Sequence, residues 1–209
     1  MNKTTAILCS VLLVGLFSGC GSPLKEIITK SQSTRSDIFV EIKNDEAIPT
    51  GYSDVIIKVS VKTPPPGFYL CESNDSLSVK PELPFIFNID EQAVIWKING
   101  QLEITSIYNK KRRRIPDGGE GIRYVLHKKI RLKLGPHKVF FGFPKSECIR
   151  EFDILLTKGI SRLDIKPVYR LDRLDRQRSR SFLNGLIDFE VFHSDNIISK
   201  AFLNVWKKN

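Results

Sequence analysis

The chain has 209 residues, 41% of them hydrophobic, with 33 Lys and Arg against 23 Asp and Glu and a formal net charge of +10. That length holds one large domain or two small β domains and no more. Thirteen Phe, a single Met and many Val and Ile neighbours argue against helices and for strands.

Near the start, Lys3 supplies a positive charge, residues 6–17 are almost wholly apolar, and Ser18-Gly19 set two small side chains before Cys20. This order predicts an export signal, removed over residues 1–19. The run of about a dozen residues is too short for a stable bilayer-crossing helix, which needs roughly 20. Leu16-Phe17-Ser18-Gly19-Cys20 resembles the lipobox of bacterial lipoproteins, with Phe17 where that pattern more often has leucine. The resemblance implies a diacylglycerol on the Cys20 thiol, cleavage before it, and acylation of the new amine. Gly21, in place of the aspartate that retains many such proteins in the inner membrane, implies the outer membrane. The alternative is an ordinary secretory signal, with Cys20 the first thiol of a soluble exported chain. Two or more acyl chains anchor stably where one does not, at about 0.8 kcal/mol per buried methylene. The lipid bilayer is then the first partner. Removal of residues 1–19 takes away Lys3 and no acid, leaving 190 residues at a charge of +9.

Residues 20–36 are polar and poor in aromatics, and read as the lipidated N-terminus and a tether. An N-terminal β region follows over 37–84. Ile38, Val40 and Ile42 alternate with Phe39, Glu41 and Lys43. Val55, Ile57, Val59 and Val61 share one parity against Ile56, Lys58, Ser60 and Lys62, which predicts a half-buried strand with one apolar face. Pro64-Pro65-Pro66-Gly67 ends it, because proline has no N–H for a ladder. The prolines read as a stiff connection in preference to a PxxP ligand.

Residues 85–169 form a second, stronger block. Val94, Trp96 and Ile98 point one way before Asn99-Gly100, a dipeptide suited to a type I′ hairpin turn, and Leu102, Ile104 and Ile107 make the expected return strand. Ile122, Tyr124, Leu126, Ile130, Leu132 and Leu134 lie on one parity, broken by Lys128. Gly135-Pro136 turns the chain into Val139, Phe141 and Phe143. Phe152, Ile154 and Leu156 follow, then Lys158-Gly159, then Leu163 and Ile165. Short alternating strands with a turn every eight to twelve residues predict an all-β fold of one or two antiparallel sandwiches, immunoglobulin-like in kind. The strand ending in Asn99-Gly100, the run Leu134-Gly135-Pro136-His137-Lys138-Val139 and the closing Glu151-Phe152-Asp153-Ile154 resemble a PEGA-type β-sandwich. Here Gly135-Pro136 reverses the usual Pro-Gly, and a long insert separates the two motifs. The resemblance implies a small non-catalytic module of exported and cell-surface proteins, and carries no active-site residues.

Residues 170–209 read as a basic loop and C-terminal strand or strands. Arg170, Arg173, Arg176, Arg178 and Arg180 alternate with Asp172 and Asp175, so much of that charge is compensated locally, and surface pairs are worth little. Ile187, Phe189 and Val191 alternate with Asp188 and Glu190 in a strong strand. Residues 197–206 suit either one more strand or a short helix.

Of four cysteines, Cys9 leaves with the signal and Cys20 goes to the lipid. Cys71 and Cys148 remain, and an oxidising exported compartment favours their pairing. Such a bridge would contribute roughly 4 kcal/mol on the chain-entropy account; two buried, unpaired thiols are the alternative. Neither has a CxxC neighbour or a flanking His, which argues against zinc and redox catalysis.

The densest charge run is Lys110, Lys111, Arg112, Arg113 and Arg114, ahead of the glycine-rich Pro116-Asp117-Gly118-Gly119. It predicts a mobile basic finger touching a polyanion: phospholipid headgroups, the phosphate-bearing core of lipopolysaccharide, or acidic surface polysaccharide. Such clusters gain roughly 1 kcal/mol per residue near anionic lipid. Export takes nucleic acid out of reach. Contact with a polyanion is the functional reading; the bland one, a solvated loop whose charges keep an exposed hairpin from pairing with other chains, is preferred to it. His127, His137 and His193 have no metal-ligand spacing. GxSxG, P-loop and HExxH patterns are missing, and Asp188 with Glu190 read as the solvated side of a strand in preference to a glycosidase pair. The expected function is therefore that of an envelope lipoprotein without a cofactor, binding or assembling at the membrane surface. The rivals are an enzyme acting on cell-wall polymer or polysaccharide, and a structural subunit of an envelope complex.

Overall fold

A computed structural model describes residues 23–43, 46–65, 82–143, 148–170 and 185–200. Cys20, Cys71, the continuous stretch 171–184 and residues 201–209 lie outside the described residues. The chain orders as α1 (Pro23–Lys30), β1 (Phe39–Glu41), β2 (Tyr52–Thr63), β3 (Glu82–Ile89), β4 (Gln92–Asn99) and β5 (Gln101–Thr105). Then come β6 (Gly119–Lys133), β7 (Gly135–Gly142), β8 (Ile149–Leu156), β9 (Gly159–Tyr169), β10 (Leu186–His193) and β11 (Asn196–Ser199). One sheet runs β1-β6-β2-β9-β10-β11, with β5 on the same edge of β6 as β1. The second runs β4-β3-β7-β8.

The two sheets pack as a β-sandwich around one apolar core. The expected inner faces are the ones buried: Val55, Ile57, Val59 and Val61 on β2, Tyr124, Leu126, Ile130 and Leu132 on β6, and Val139, Phe141 and Phe143 around β7. Phe85, Phe87, Phe141, Phe143 and Phe189 stack and tilt on one another with ring centroids 4.9–6.4 Å apart. Fully burying such a side chain contributes about 1.5–3 kcal/mol. Lys128, on the inner parity of β6, escapes at the sandwich edge. It pairs with Glu41 and lies over the Trp96 ring.

Four expectations are corrected. The sheets are not wholly antiparallel: β2 runs parallel to β9, from Ser53 opposite Gly159 to Val59 opposite Ile165. Because β2 thereby sits between β6 and β9, residues 37–84 and 85–169 share one sheet, and the boundary drawn at residue 84 falls inside β3. Asn99-Gly100 is no hairpin turn, since β4 and β5 belong to different sheets. Gly100 is there for closeness: a Cβ would lie 2.3 Å from Ile122 Cγ2 and 2.7 Å from Tyr124 Cε1. Gly135-Pro136 likewise carries the chain from β6 in one sheet to β7 in the other. The two-residue hairpin turns are Asp90-Glu91 and Ser194-Asp195, with φ of 46° and 73°, and 48° and 70°. That is the pair of positive values a type I′ turn requires. Finally, β1 buries Phe39 and leaves Val40 exposed, while Ile38 just before the strand also packs against the core, so no simple alternation holds there.

The presumed tether is also partly structure. α1 lies on the outer face of the second sheet, where Ile27 is buried with Ile86 and Phe140 against Ile149. Pro23 opens the helix, a position where its missing N–H costs nothing. Side chains tie the sheets together at both edges. The Gln92 amide acts as a strand partner for β1, accepting from Ile38 N–H at 2.7 Å and Phe39 N–H at 3.0 Å, and donating to the Phe39 carbonyl at 2.9 Å. At the other edge Arg150 of β8 donates to the Phe189 carbonyl at 3.2 Å and pairs with Asp188 on β10.

Candidate functional site

The basic run falls in the loop between β5 and β6, at the end of the sandwich where β2 finishes and β6 begins. The finger carries its own hydrogen-bond network. Asn109 organises it: its Oδ1 accepts from the N–H groups of Lys111 and Arg113, each at 2.9 Å. Its N–H donates to the Arg113 carbonyl at 2.8 Å, and its carbonyl accepts from Arg112 N–H at 2.9 Å. Ile115 N–H to the Ile107 carbonyl at 2.8 Å closes the base. Arg112 adopts φ of 55°, a left-handed conformation costly for a residue with a Cβ, and this network is what holds it there. Lys110, Lys111, Arg112 and Arg113 are exposed and Arg114 is half-buried.

Below the finger lies a cluster that the sequence did not single out. The Lys62 side chain, wholly buried, donates to Thr105 Oγ1 at 3.0 Å and to the carbonyls of Asp117 at 3.0 Å and Gly119 at 2.7 Å. It also faces Glu103 Oε2 at 3.2 Å. Arg123 grips the same Glu103 oxygen at 2.8 Å and Asp117 Oδ2 at 2.6 Å. Burial would raise the Glu103 carboxyl above its usual range, but the bonds from Arg123 and Lys62 outweigh that and hold it below. Gly121 makes room, since a Cβ there would meet the Thr63 carbonyl at 2.6 Å and Lys62 Cε at 2.9 Å. Tyr169 seals the strand beside it: its hydroxyl accepts from Lys62 N–H at 2.7 Å, and burial pushes its pKa to about 12. The signal that could have found the cluster is one lysine at the end of an apolar strand, with Glu103, Asp117 and Arg123 flanking the basic run.

Beside the finger an apolar face stands open. Leu102 and Ile104 on β5 are 66% and 71% exposed, and Tyr108 at the finger's base is 57% exposed. The finger is therefore a cationic tip on an apolar stem.

The remaining candidates do not converge with it. His127 lines a shallow groove of about 500 Å³ on the outer face of the first sheet, with Lys58, Val125 and Asp164. His137 bridges elements, with Nδ1 2.7 Å from Asp90 Oδ2 and Nε2 2.8 Å from the Lys133 carbonyl. It is more than the turn residue expected. His193 closes β10, and burial lowers its pKa. Asp188 was expected to face solvent with Glu190, yet it is buried. It accepts from Phe189 N–H at 2.7 Å and is held by Arg150, at a bulge between Leu186 and Asp188. An opening of about 850 Å³ lies between α1 and the β3–β4 turn, lined by Lys30, Arg35, Asp90, Glu91 and Glu151. Its Lys30 and Glu151 pair at 3.0 Å. Cys148 is half-buried against the core. Among the described residues no group of three or more His, Cys, Asp or Glu is placed to hold a metal ion, and no helix is long and apolar enough to cross a membrane. No protein-family model, curated protein or solved structure matches the chain.

Proposed function

We propose that this chain is an exported bacterial lipoprotein of the cell envelope. It is held in the outer membrane by acylated Cys20, and its sandwich binds or assembles at the membrane surface without catalysing a reaction. The observation that carries the reading is the short distance in sequence between anchor and body. The lipobox-type Leu16-Phe17-Ser18-Gly19-Cys20 stands three residues before Pro23, where α1 begins, and α1 is fastened to the sandwich by buried Ile27. Three residues reach about 11 Å at full extension. An acylated Cys20 therefore keeps the folded body against the bilayer, within reach of headgroups and of other surface polymers or proteins.

Metabolic labelling with a fatty-acid analogue and intact-mass measurement test the reading. The expected mature chain starts at Cys20 and carries the mass of its acyl chains, while Cys20→Ser takes up no label and leaves the membrane fraction. Label retained in Cys20→Ser, or a membrane-bound chain that keeps residues 1–19, overturns it.

A further inference from the structure

We infer that the finger end of the sandwich is a membrane-docking face, on which the basic finger and the apolar side of β5 meet the anionic surface of the bilayer that holds Cys20. The inference rests on the lipid-anchored reading. The direction of α1 is the first support. Ile27 packs on Ile86 and Ile149. Further along, the Lys30 carbonyl accepts from Asn88 Nδ2 at 2.8 Å, and Thr34 N–H reaches the Glu91 carbonyl at 3.2 Å, at the opposite end of the sandwich. Followed backwards, the described chain reaches Pro23 toward the end where β7 finishes, β8 begins and the finger projects. On the anchored reading, Cys20 is three residues earlier and can be no more than about 11 Å from that point.

Charge is the second support. From Tyr108 to Pro116 the finger holds five cations and no acid, and Asp117 beyond it is taken by Arg123. At the opposite end the Asp90-Glu91 tip shares an opening with Arg35 and Lys138, so charge there is mixed. A tip of cations with no acid among them favours an anionic surface. The third support decides the occupant. Leu102 and Ile104 lie open beside the cations, with Tyr108 exposed between them and the tip. Cations beside open aliphatic and aromatic side chains suit the headgroup boundary, where phosphates pair with the former and acyl chains receive the latter. A soluble polyanion would use the cations and leave Leu102 and Ile104 in water.

The test is hydrogen exchange of the lipidated full chain in vesicles of phosphatidylcholine, with and without phosphatidylglycerol, at low and moderate salt. Co-flotation with phosphatidylcholine alone reports the acyl anchor, so loss of anchoring and loss of docking are read separately. The expected result is several-fold slower exchange across residues 101–118 only when anionic lipid is present, weaker at moderate salt, with the 90–91 and 194–195 turns unchanged. Replacement of Lys110, Lys111, Arg112 and Arg113 by Gln should abolish that protection and keep flotation, and Leu102→Ser with Ile104→Ser should reduce it. Equal exchange in both vesicle types, protection at the 90–91 end, or protection given equally by soluble polygalacturonate without anionic lipid would overturn the inference.

Discussion

Two polar clusters sit at opposite ends of β2, each built around one buried charge, and they are opposite in sign. At the finger end Lys62 is the buried charge; at the other it is Asp54, wholly buried beneath Arg131 at 2.7 Å and Lys129 at 3.4 Å. Both occupy β2 positions that a period-two reading assigns to the outer face. Their partners differ in kind. Asp54 binds side chains of the adjacent strand β6, and Arg131 passes the link to the Glu46 carbonyl at 3.2 Å, so this cluster fastens the frame. Lys62 instead gathers a hydroxyl and two carbonyls from the segments flanking the finger, so that cluster fastens a projection. A buried cation at its base lets the finger keep its shape while Lys110, Lys111, Arg112 and Arg113 stay exposed on its surface.

Several changes separate the two ends or remove both. Phe141 lies in the core that both ends share, wholly buried among Phe85, Phe87, Phe143 and Phe189. Phe141→Ala should cost about 3–5 kcal/mol in chemical denaturation and loosen both ends together. Lys62→Met leaves the carbonyls of Asp117 and Gly119 without their cation, and Glu103 with Arg123 alone. It should cost about 3 kcal/mol and speed amide exchange across 106–118, with the Asp54 cluster untouched. Asp54→Asn should cost about 2 kcal/mol and leave finger exchange as it was. If both substitutions loosen the finger equally, the division between frame and projection is wrong.

Acid sharpens the same contrast. Bonds from Arg131, working against burial, hold the Asp54 carboxyl below the usual range. The stability it contributes is complete above the ordinary carboxylate value of about 3.9. As pH falls below that value the unfolded chain takes its proton first, so stability drops until the folded carboxyl is itself titrated. Denaturation midpoints measured across this window should fall, and should fall less steeply in Asp54→Asn. The smallest effect belongs to the exposed finger: Gln at 110–113 should change stability by no more than about 0.5 kcal/mol.

What the sequence disclosed and what it concealed divide along physical lines. The inner faces of β2, β6, β7, β8 and β9 were legible because a buried sheet face imposes a strict period of two on Val, Ile, Leu and Phe. The basic finger was legible as a charge run. Lys62 was hidden because a lysine at an outward position reads as solvated until Gly121, two strand positions away across β6, is seen to vacate the space for it. Asn99-Gly100 misled because a dipeptide reports local backbone preference, while membership of a sheet is decided by distant partners. The actual hairpin at Asp90-Glu91 escaped notice because it has no glycine; Asn88 Oδ1 accepting from Glu91 N–H at 2.9 Å supports the turn instead. α1 was missed because eight residues with one fully buried isoleucine give too little periodicity to outweigh a polar composition.

Crosslinking with a phospholipid that carries a photoreactive group near its headgroup, applied to the lipidated protein in anionic vesicles, reads most directly which way the molecule stands. Adducts should concentrate on peptides covering residues 101–115. Adducts gathered instead at the Asp90-Glu91 and Ser194-Asp195 turns would mean that the opposite end faces the lipid.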